Sequence, residues 1–433
     1  MHILISTFGT HGDMQPFIAL GIGLQAAGHT VTVCTSAEYQ PLVEMYNLQY
    51  AFMDNTLLDL SRALLEGRGN TRAVMGQMGP AMQRTIEDEW RAAQAFKPDV
   101  IVYHPKMLGS YHIAEKLSIP LIMAIPLPCY TPTRAFPHPF LANVRLGGWF
   151  NQLSYRLIGL SSAMFIGMTN RFRTRMLGLQ PQRRFADMLT RADGTPVPIL
   201  YPYSPALLPA PPDFPAHVHV TGTWFLDRPA AWQPDSALEQ FLEAGPAPVY
   251  VGFGSMSGKR AGERAQIVLK ALASIGQRGL LARGWGGLNV RELPSTVHAV
   301  DAAPHDWLFP RMAAVVHHGG AGTTAAGLRA GKPTVICPFL GDQPFWGSLV
   351  HARGLGPAPL SQRQLTTPRL AAAIEEAVSN VGMQQRAAEL GSQIRAEDGV
   401  AIAVDQIERL ARGLGGVPAA PESLRELLNK SAR

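Results

Sequence analysis

One stretch limits the folds open to this chain more than any other: Ala313-Ala314-Val315-Val316-His317-His318-Gly319-Gly320-Ala321-Gly322-Thr323-Thr324-Ala325-Ala326-Gly327-Leu328. The apolar run Ala313 to Val316 reads as a buried strand, closed by two histidines. Gly319, Gly320 and Gly322 let backbone N–H groups approach a ligand with no side chain in the way. Thr323 and Thr324 open a helix that Gly331 stops, with Pro333 just beyond. Strand, glycine turn and helix in this order aim free N–H groups and the positive end of a helix dipole at one spot. Such a spot favours an anion, most often a phosphate.

The chain is long enough to use this unit twice. At 433 residues it exceeds one ordinary core, so two domains are expected. Hydrophobic residues at 46% and charged residues at 16% describe a well-buried globular protein. The net charge of +6 comes from scattered arginines without a dense basic block, so no nucleic acid is expected as a partner. Cys34, Cys129 and Cys337 lie far apart and make no metal spacing; buried free thiols in a reducing compartment are expected. The chain enters a strand at once, His2 to Ile5, with no signal peptide in front. Its longest uncharged apolar region, Leu157 to Asn170, falls short of the roughly 20 residues that span a bilayer. A cytoplasmic protein is expected, with peripheral membrane contact left open.

Strand and helix signals alternate through the first half. Strand Ile3–Ser6 leads through the loop Thr7 to Asp13 into a helix with Phe17, Leu20, Leu24 and Ala27 on one face. Strands follow at Val31–Thr35, Val100–Tyr103 and Leu121–Ile125, with helices around Arg72–Ala95 and Ser110–Leu117. Such alternation implies right-handed crossovers and a parallel sheet covered on both faces. From 126 to 180, prolines precede Trp149, Phe150, Tyr155 and Phe165, which stand among arginines; two packed helices are expected there, rather than an acceptor cleft or a membrane-facing lip. A proline-rich stretch, Pro196 to Pro248, reads as a connection with one strand at His217–Thr221. The alternation then restarts at Val249. The expected domains are 1–215, a connection 216–247, a second domain 248–395 and a helical segment 396–433.

Four motifs in order are similar to a known family. Gly-Thr-His-Gly-Asp-Met-Gln-Pro at 9–16, Ala-Pro-His-Asp-Trp-Leu-Phe at 303–309, His-His-Gly-Gly-Ala-Gly-Thr-Thr at 317–324 and Pro-Phe-Leu-Gly-Asp-Gln-Pro-Phe-Trp at 338–346 resemble the sterol glucosyltransferase branch of inverting UDP-glycosyltransferases. The resemblance covers nearly the whole chain. It implies an α/β GT-B fold, two Rossmann-like domains with parallel sheets facing across a cleft. The first domain would hold an apolar small-molecule acceptor, such as a sterol, terpenoid or lipid, and the second a nucleotide-sugar donor, commonly UDP-glucose.

The resemblance also assigns roles. His318 matches the histidine that contacts the diphosphate, and Gly320, Ala321, Gly322 and Thr323 match the turn that wraps it. Fixed N–H dipoles there would stabilise the charge of a departing diphosphate. Asp342 and Gln343 match the pair that binds sugar hydroxyls. Ser255 matches a further diphosphate contact, and Ala303 and His305 belong to a donor-side motif. Plant members carry a base-stacking tryptophan where Ala302 stands here, which makes Trp285 the candidate stacking face. Asp13 aligns with the proposed general base, its bland alternative being a helix N-cap. His11 and His104 are candidate assistants, the latter in an inverted Asp–His arrangement. No Asp-x-Asp pair is present, so transfer without metal or other cofactor is expected; Glu87-Asp88-Glu89 reads as a solvated helix face.

Two other readings compete. Gly320-Ala321-Gly322 after a strand, with Asp342 about 20 residues later, suits a dinucleotide-dependent oxidoreductase, although the third glycine spacing fails. A non-catalytic nucleotide-sugar-binding partner is the other, disfavoured by the presence of both Asp13 and His318.

Overall fold

The computed structural model describes residues 1–66, 70–142, 144, 146–254, 261–283 and 293–413. The apolar runs of the first half become seven parallel strands: β1 (His2–Ser6), β2 (Thr30–Ser36), β3 (Gln49–Met53), β4 (Val100–Tyr103), β5 (Leu121–Ala124), β6 (Ile199–Tyr201) and β7 (Val218–Val220). They lie in the order β3-β2-β1-β4-β5-β6-β7. The second sheet, again parallel, holds β8 (Val249–Gly252), β9 (Gly279–Ala282), β10 (Val297–Val300), β11 (Ala314–His317) and β12 (Thr334–Ile336) in the order β10-β9-β8-β11-β12. Ile3, Leu4 and Ile5 are buried on both faces of β1, as are Val315 and Val316 on β11. Helices on both sides leave a parallel sheet no solvated face, which is why these strands read as continuous apolar runs.

Three expectations need correction. The stretch read as a connection contributes β6 and β7 to the first sheet, so that sheet continues past residue 215. β6 has only three residues among prolines, too short to show a period, whereas β7 falls within the strand expected at His217–Thr221. Helix α1 (His11–Ala26) begins two residues before Asp13, which therefore sits in its first turn and not in a loop. Glu89, on helix α2 (Thr71–Phe96), is fully buried, and Asp88 beside it is nearly so. The Glu89 carboxylate accepts from the Gly109 N–H at 2.9 Å and the Ser110 hydroxyl at 2.5 Å, capping helix α3 (Ser110–Leu117). Burial pushes its pKa up to about 7, against the pull of those bonds.

The prolines after β5 give way to helices α4 (Gly148–Ser154) and α5 (Leu157–Phe172). Of the aromatics expected to pack, Tyr155 is buried and Phe150 and Phe165 are half-buried, but Trp149 is 71% exposed, so that ring is not core packing. The expected second-domain helices form too: α6 (Ala321–Arg329) follows β11 and α7 (Gln343–Ala352) follows β12.

The last described helix, α8 (Gly399–Ala411), crosses back to the first domain and packs on α1. Glu408 hydrogen-bonds the His29 ring at 2.9 Å, and Val400 fills the space above Gly23. At its start Gly399 touches the backbone leaving β7. A Cβ there would lie 2.6 Å from the Gly222 carbonyl and 2.7 Å from the Thr223 oxygen, neither of which can turn aside. Gly399→Ala is expected to cost about 1–3 kcal/mol of stability, read as a lowered thermal midpoint. An unchanged midpoint would mean that the helix and the connection part without cost.

Candidate active site

Each sheet reverses its strand order once, and ligands of open α/β sheets collect at the carboxyl ends of the strands where that happens. In the first sheet this is between β1 and β4, which pair Ser6 with Tyr103. In the second it is between β8 and β11, which pair Gly252 with His317. The residues just beyond these four strands form the candidate site.

Beyond β1, Gly9 takes φ +143°, and a Cβ there would fall 2.0 Å from an Asp13 carboxylate oxygen. Glycine at this turn thus makes room for the acid. Asp13 folds back so that Oδ2 accepts from the Thr10 N–H at 2.8 Å, while the Thr10 side chain completes a capping box. Capping thus occupies Oδ2 and leaves Oδ1 to other partners. Oδ1 meets Lys106 Nζ at 2.6 Å and His104 Nε2 at 3.7 Å. Burial pushes the Asp13 carboxyl up, but Lys106 and His104, with the Lys106 and Thr10 hydrogen bonds, outweigh it and hold the pKa below the ordinary value.

His104, just beyond β4, is buried, and desolvation with the nearby Lys106 charge pushes its pKa down to about 3 despite the pull of Asp13. The ring is therefore neutral at physiological pH. Its Nδ1 accepts from the Lys106 N–H at 3.1 Å, which leaves the proton on Nε2, facing Asp13. The structure thus brings the sequence-predicted Asp13 and His104 together. His11 is placed differently: its ring meets Tyr39 edge-on at 5.2 Å, near Glu38 and Arg62. Lys106 escaped the sequence reading altogether. An exposed lysine carries no pattern, and only the fold brings it to Asp13 from 93 residues away.

On the second domain, α6 begins at Ala321 with Gly320 as N-cap, two residues earlier than expected. Gly320 offers no side chain to cap the helix, so the first-turn N–H groups of Ala321, Gly322 and Thr323 are open. A Cβ on Gly322 would meet nothing within 4 Å. The His318 ring lies between two glycines: added Cβ atoms would approach it to 3.3 Å from Gly254 and 2.6 Å from Gly320. Its Nδ1 is buried and finds no partner among the described residues. Burial pushes its pKa down to about 4. A buried polar atom of this kind beside open helix N–H groups fits an anionic ligand. His317 is turned inward, its Nδ1 accepting from the Gly319 N–H at 3.0 Å.

Asp342 and Gln343 open α7. Asp342 Oδ2 accepts from the Trp346 indole at 3.0 Å, and Gln343 Oε1 accepts from Phe339 and Leu340 N–H groups at 2.7 and 3.2 Å. Gln343 thus fixes its own loop with its oxygen. Burial pushes the Asp342 pKa up; Asp13 adds to this, while Trp346 and Lys106 act against it. His305 stacks on Phe309 at 4.1 Å, with its pKa pushed down to about 4 by burial and His318, and Ala303 is half-buried two residues before it. Ser255 and Trp285 lie outside the described residues. Among the described residues no cluster of His, Cys, Asp and Glu could hold a metal ion.

Two parallel-sheet domains whose switch points face each other define the GT-B glycosyltransferase fold. Solved structures of that class superpose over nearly the full length. The glycotransferase of kitacinnamycin covers 95% of this chain and 99% of its own at a TM-score of 0.69 and 19% identity. The glycosyltransferase VinC, in complex with dTDP, covers 95% and 100% at 0.66 and 19%. The Glycosyltransferase family 28 N-terminal domain model matches residues 3–137, and the Erythromycin biosynthesis protein CIII-like C-terminal domain model matches 282–410. Sterol 3-beta-glucosyltransferase UGT80A2 of Arabidopsis thaliana is 36% identical over 93% of this chain and 64% of its own length. UGT80B1 of the same plant is 35% identical over 94% and 68%, and the Aspergillus fumigatus sterol 3-beta-glucosyltransferase 36% over 94% and 30%. The chain belongs to the sterol glucosyltransferase family. It spans less than two thirds of the length of the first of these plant proteins and under a third of the fungal one.

Proposed function

We propose that this chain is an inverting hexosyltransferase that moves glucose from a UDP-sugar to the hydroxyl of a sterol or similar apolar acceptor. The observation that carries this reading is a pair of sites: the Asp13 carboxylate held by Lys106 at one switch point, and the unpartnered His318 Nδ1 beside the open N–H groups of α6 at the other. His318 and the open N–H groups of α6 hold the diphosphate, and Asp342 with the Gln343 amide holds sugar hydroxyls. The Asp13 Oδ1 accepts the acceptor's hydroxyl proton as its oxygen attacks the anomeric carbon, and the sugar–phosphate bond breaks towards α6. Names of relatives support glucose and sterol; the dTDP-bound neighbour supports a nucleoside diphosphate. Family membership disfavours the dinucleotide oxidoreductase. Cytoplasmic placement fits three buried free cysteines, and an apolar acceptor brings with it contact at a membrane surface. Among the described residues no helix is long and apolar enough to cross one.

The test is incubation with UDP-glucose and a hydroxylated sterol, following UDP release and the mass of the acceptor. Hexose should appear on the sterol with the wild-type chain. No UDP release with any hydroxylated apolar acceptor, or NADH binding in place of UDP-sugar binding, would overturn the reading.

Lys106 belongs to the same machinery as a positioning residue. Its ammonium keeps the base ionised in the free site, and its departure as the hydroxyl arrives returns basicity to the carboxylate. With Lys106→Met the Asp13 pKa should rise. The acid limb of the kcat/KM profile should then move to higher pH, because activity is lost as pH falls through the pKa of the base. An unmoved limb would mean that Lys106 does not act on Asp13.

A further inference from the structure

We infer, resting on the role that the proposed function gives Asp342, that Trp346 is a positioning residue for sugar recognition: seated in the interior of the first domain, its indole fixes the direction of the Asp342 carboxylate. Asp342 stands just before α7 and Trp346 four residues on, so the two share one face of the helix. The indole N–H donates to Asp342 Oδ2 at 3.0 Å. An aspartate at the head of a helix ordinarily bonds an N–H of its own first turn. Asp342 makes no such bond; its backbone is already helical, at φ −80° and ψ −13°, and its carboxylate goes to the indole instead. A buried tryptophan N–H needs a partner, but not a charged one. Trp224, equally buried, donates to the Thr221 hydroxyl at 3.0 Å. A carboxylate costs more to bury than a hydroxyl does. Burial pushes the Asp342 pKa up accordingly, with the Trp346 bond acting against it. The pairing is thus more than a buried indole requires.

The indole itself is held from the first domain. Trp346 is 2% exposed and belongs to one apolar cluster with Phe17 and Trp224. Tyr203, two residues beyond β6, meets its ring edge-on at 6.3 Å. The Tyr203 hydroxyl is buried without a partner among the described residues, so that side chain serves here as a packed ring. At its start α7 also lies against the glycine turn of the donor side: a Cβ on Gly319 would stand 3.2 Å from the Gln343 carbonyl oxygen. One ring and one hydrogen bond therefore lead from the first domain to a carboxylate beside the open N–H groups of α6. The consequence for binding can be sized. A released aspartate side chain has three staggered wells to occupy at its first torsion. If only one of them suits the sugar, affinity falls by about three-fold.

The experiment is calorimetric titration of the full chain, Trp346→Phe, Asp342→Ala and the double variant, each with UDP and with UDP-glucose. Phenylalanine keeps an aromatic ring in the interior and loses the N–H. Trp346→Phe should weaken UDP-glucose binding by about three- to ten-fold and leave UDP binding within about two-fold. Asp342→Ala should weaken UDP-glucose binding further. Adding Trp346→Phe to it should cost nothing more, because the indole acts through the carboxylate. A ring with a merely structural role would lower both affinities together and add its loss to that of Asp342→Ala; either result would overturn the inference. Should Trp346→Phe fail to fold, Tyr203→Leu decides, since it loosens the seat of the indole from the other domain. It should weaken UDP-glucose binding by about two- to three-fold with UDP binding unchanged, and unaltered UDP-glucose binding would overturn the inference. Loss in Asp342→Ala but none in Trp346→Phe would strike the inference alone. Full UDP-glucose affinity in Asp342→Ala would strike the sugar role given to Asp342, and the inference with it.

Discussion

Asp13→Asn is expected to lower turnover by about 10²- to 10⁴-fold while leaving UDP-sugar affinity within about two-fold. The amide fits the same space and still offers an oxygen to the Thr10 N–H, which the carboxylate now holds at 2.8 Å. What it loses is the capacity to take a proton at the position where Oδ1 stands. Asparagine also leaves Lys106, at 2.6 Å in the native site, without its counter-charge. Adding Lys106→Met to Asp13→Asn removes that stranded cation and should not restore activity, which separates lost basicity from a new electrostatic fault. Turnover and donor affinity falling together in Asp13→Asn would instead make Asp13 a structural cap.

His318→Ala should do the converse. Donor affinity should fall about 10- to 100-fold, the worth of a hydrogen bond to a charged group, measured by calorimetric titration with UDP. The binding of an acceptor analogue should not change. Because burial holds the free ring neutral, with a pKa of about 4, it meets the diphosphate as a dipole alongside the open N–H groups of α6. Affinity of the wild-type chain for UDP-glucose, whose diphosphate diester has no ionisation in this range, should therefore show no step near pH 6.5, where an unperturbed imidazole would lose its charge. Unchanged UDP affinity in His318→Ala would place the diphosphate elsewhere, and the assignment of the second domain would fall with it.

Much of the fold could be read from residues alone because parallel strands are buried on both faces. Val100–Tyr103 has in the structure the bounds its apolar run suggested. β3 was missed because an apolar residue, Phe52, stands at an exposed position and hides the alternation, and β6 because three residues carry no period; β7 falls within the strand expected at His217–Thr221. Glu89 was misread for another reason: a carboxylate that caps a neighbouring helix from inside the core looks, in sequence, like any charge on a helix. At the candidate site, the resemblance to the family singled out Asp13, His318 and Asp342, and His104 entered as a candidate assistant just beyond an expected strand. It could not show that His104 approaches as a neutral ring, that Gln343 uses its oxygen on its own loop, or that Lys106 completes the group. Those facts depend on distances between segments far apart in the chain.

The return of α8 to the first domain ties the described end of the chain to its beginning. Where it departs, the backbones of Gly222 and Gly399 touch without side chains between them, the former at φ +90°. The join is broader than that contact, since one apolar cluster takes in Phe17 and Trp224 of the first domain with Phe345, Trp346 and Ile394 of the second. Any change in the gap between the two switch points has to slide one half of that shared interior over the other.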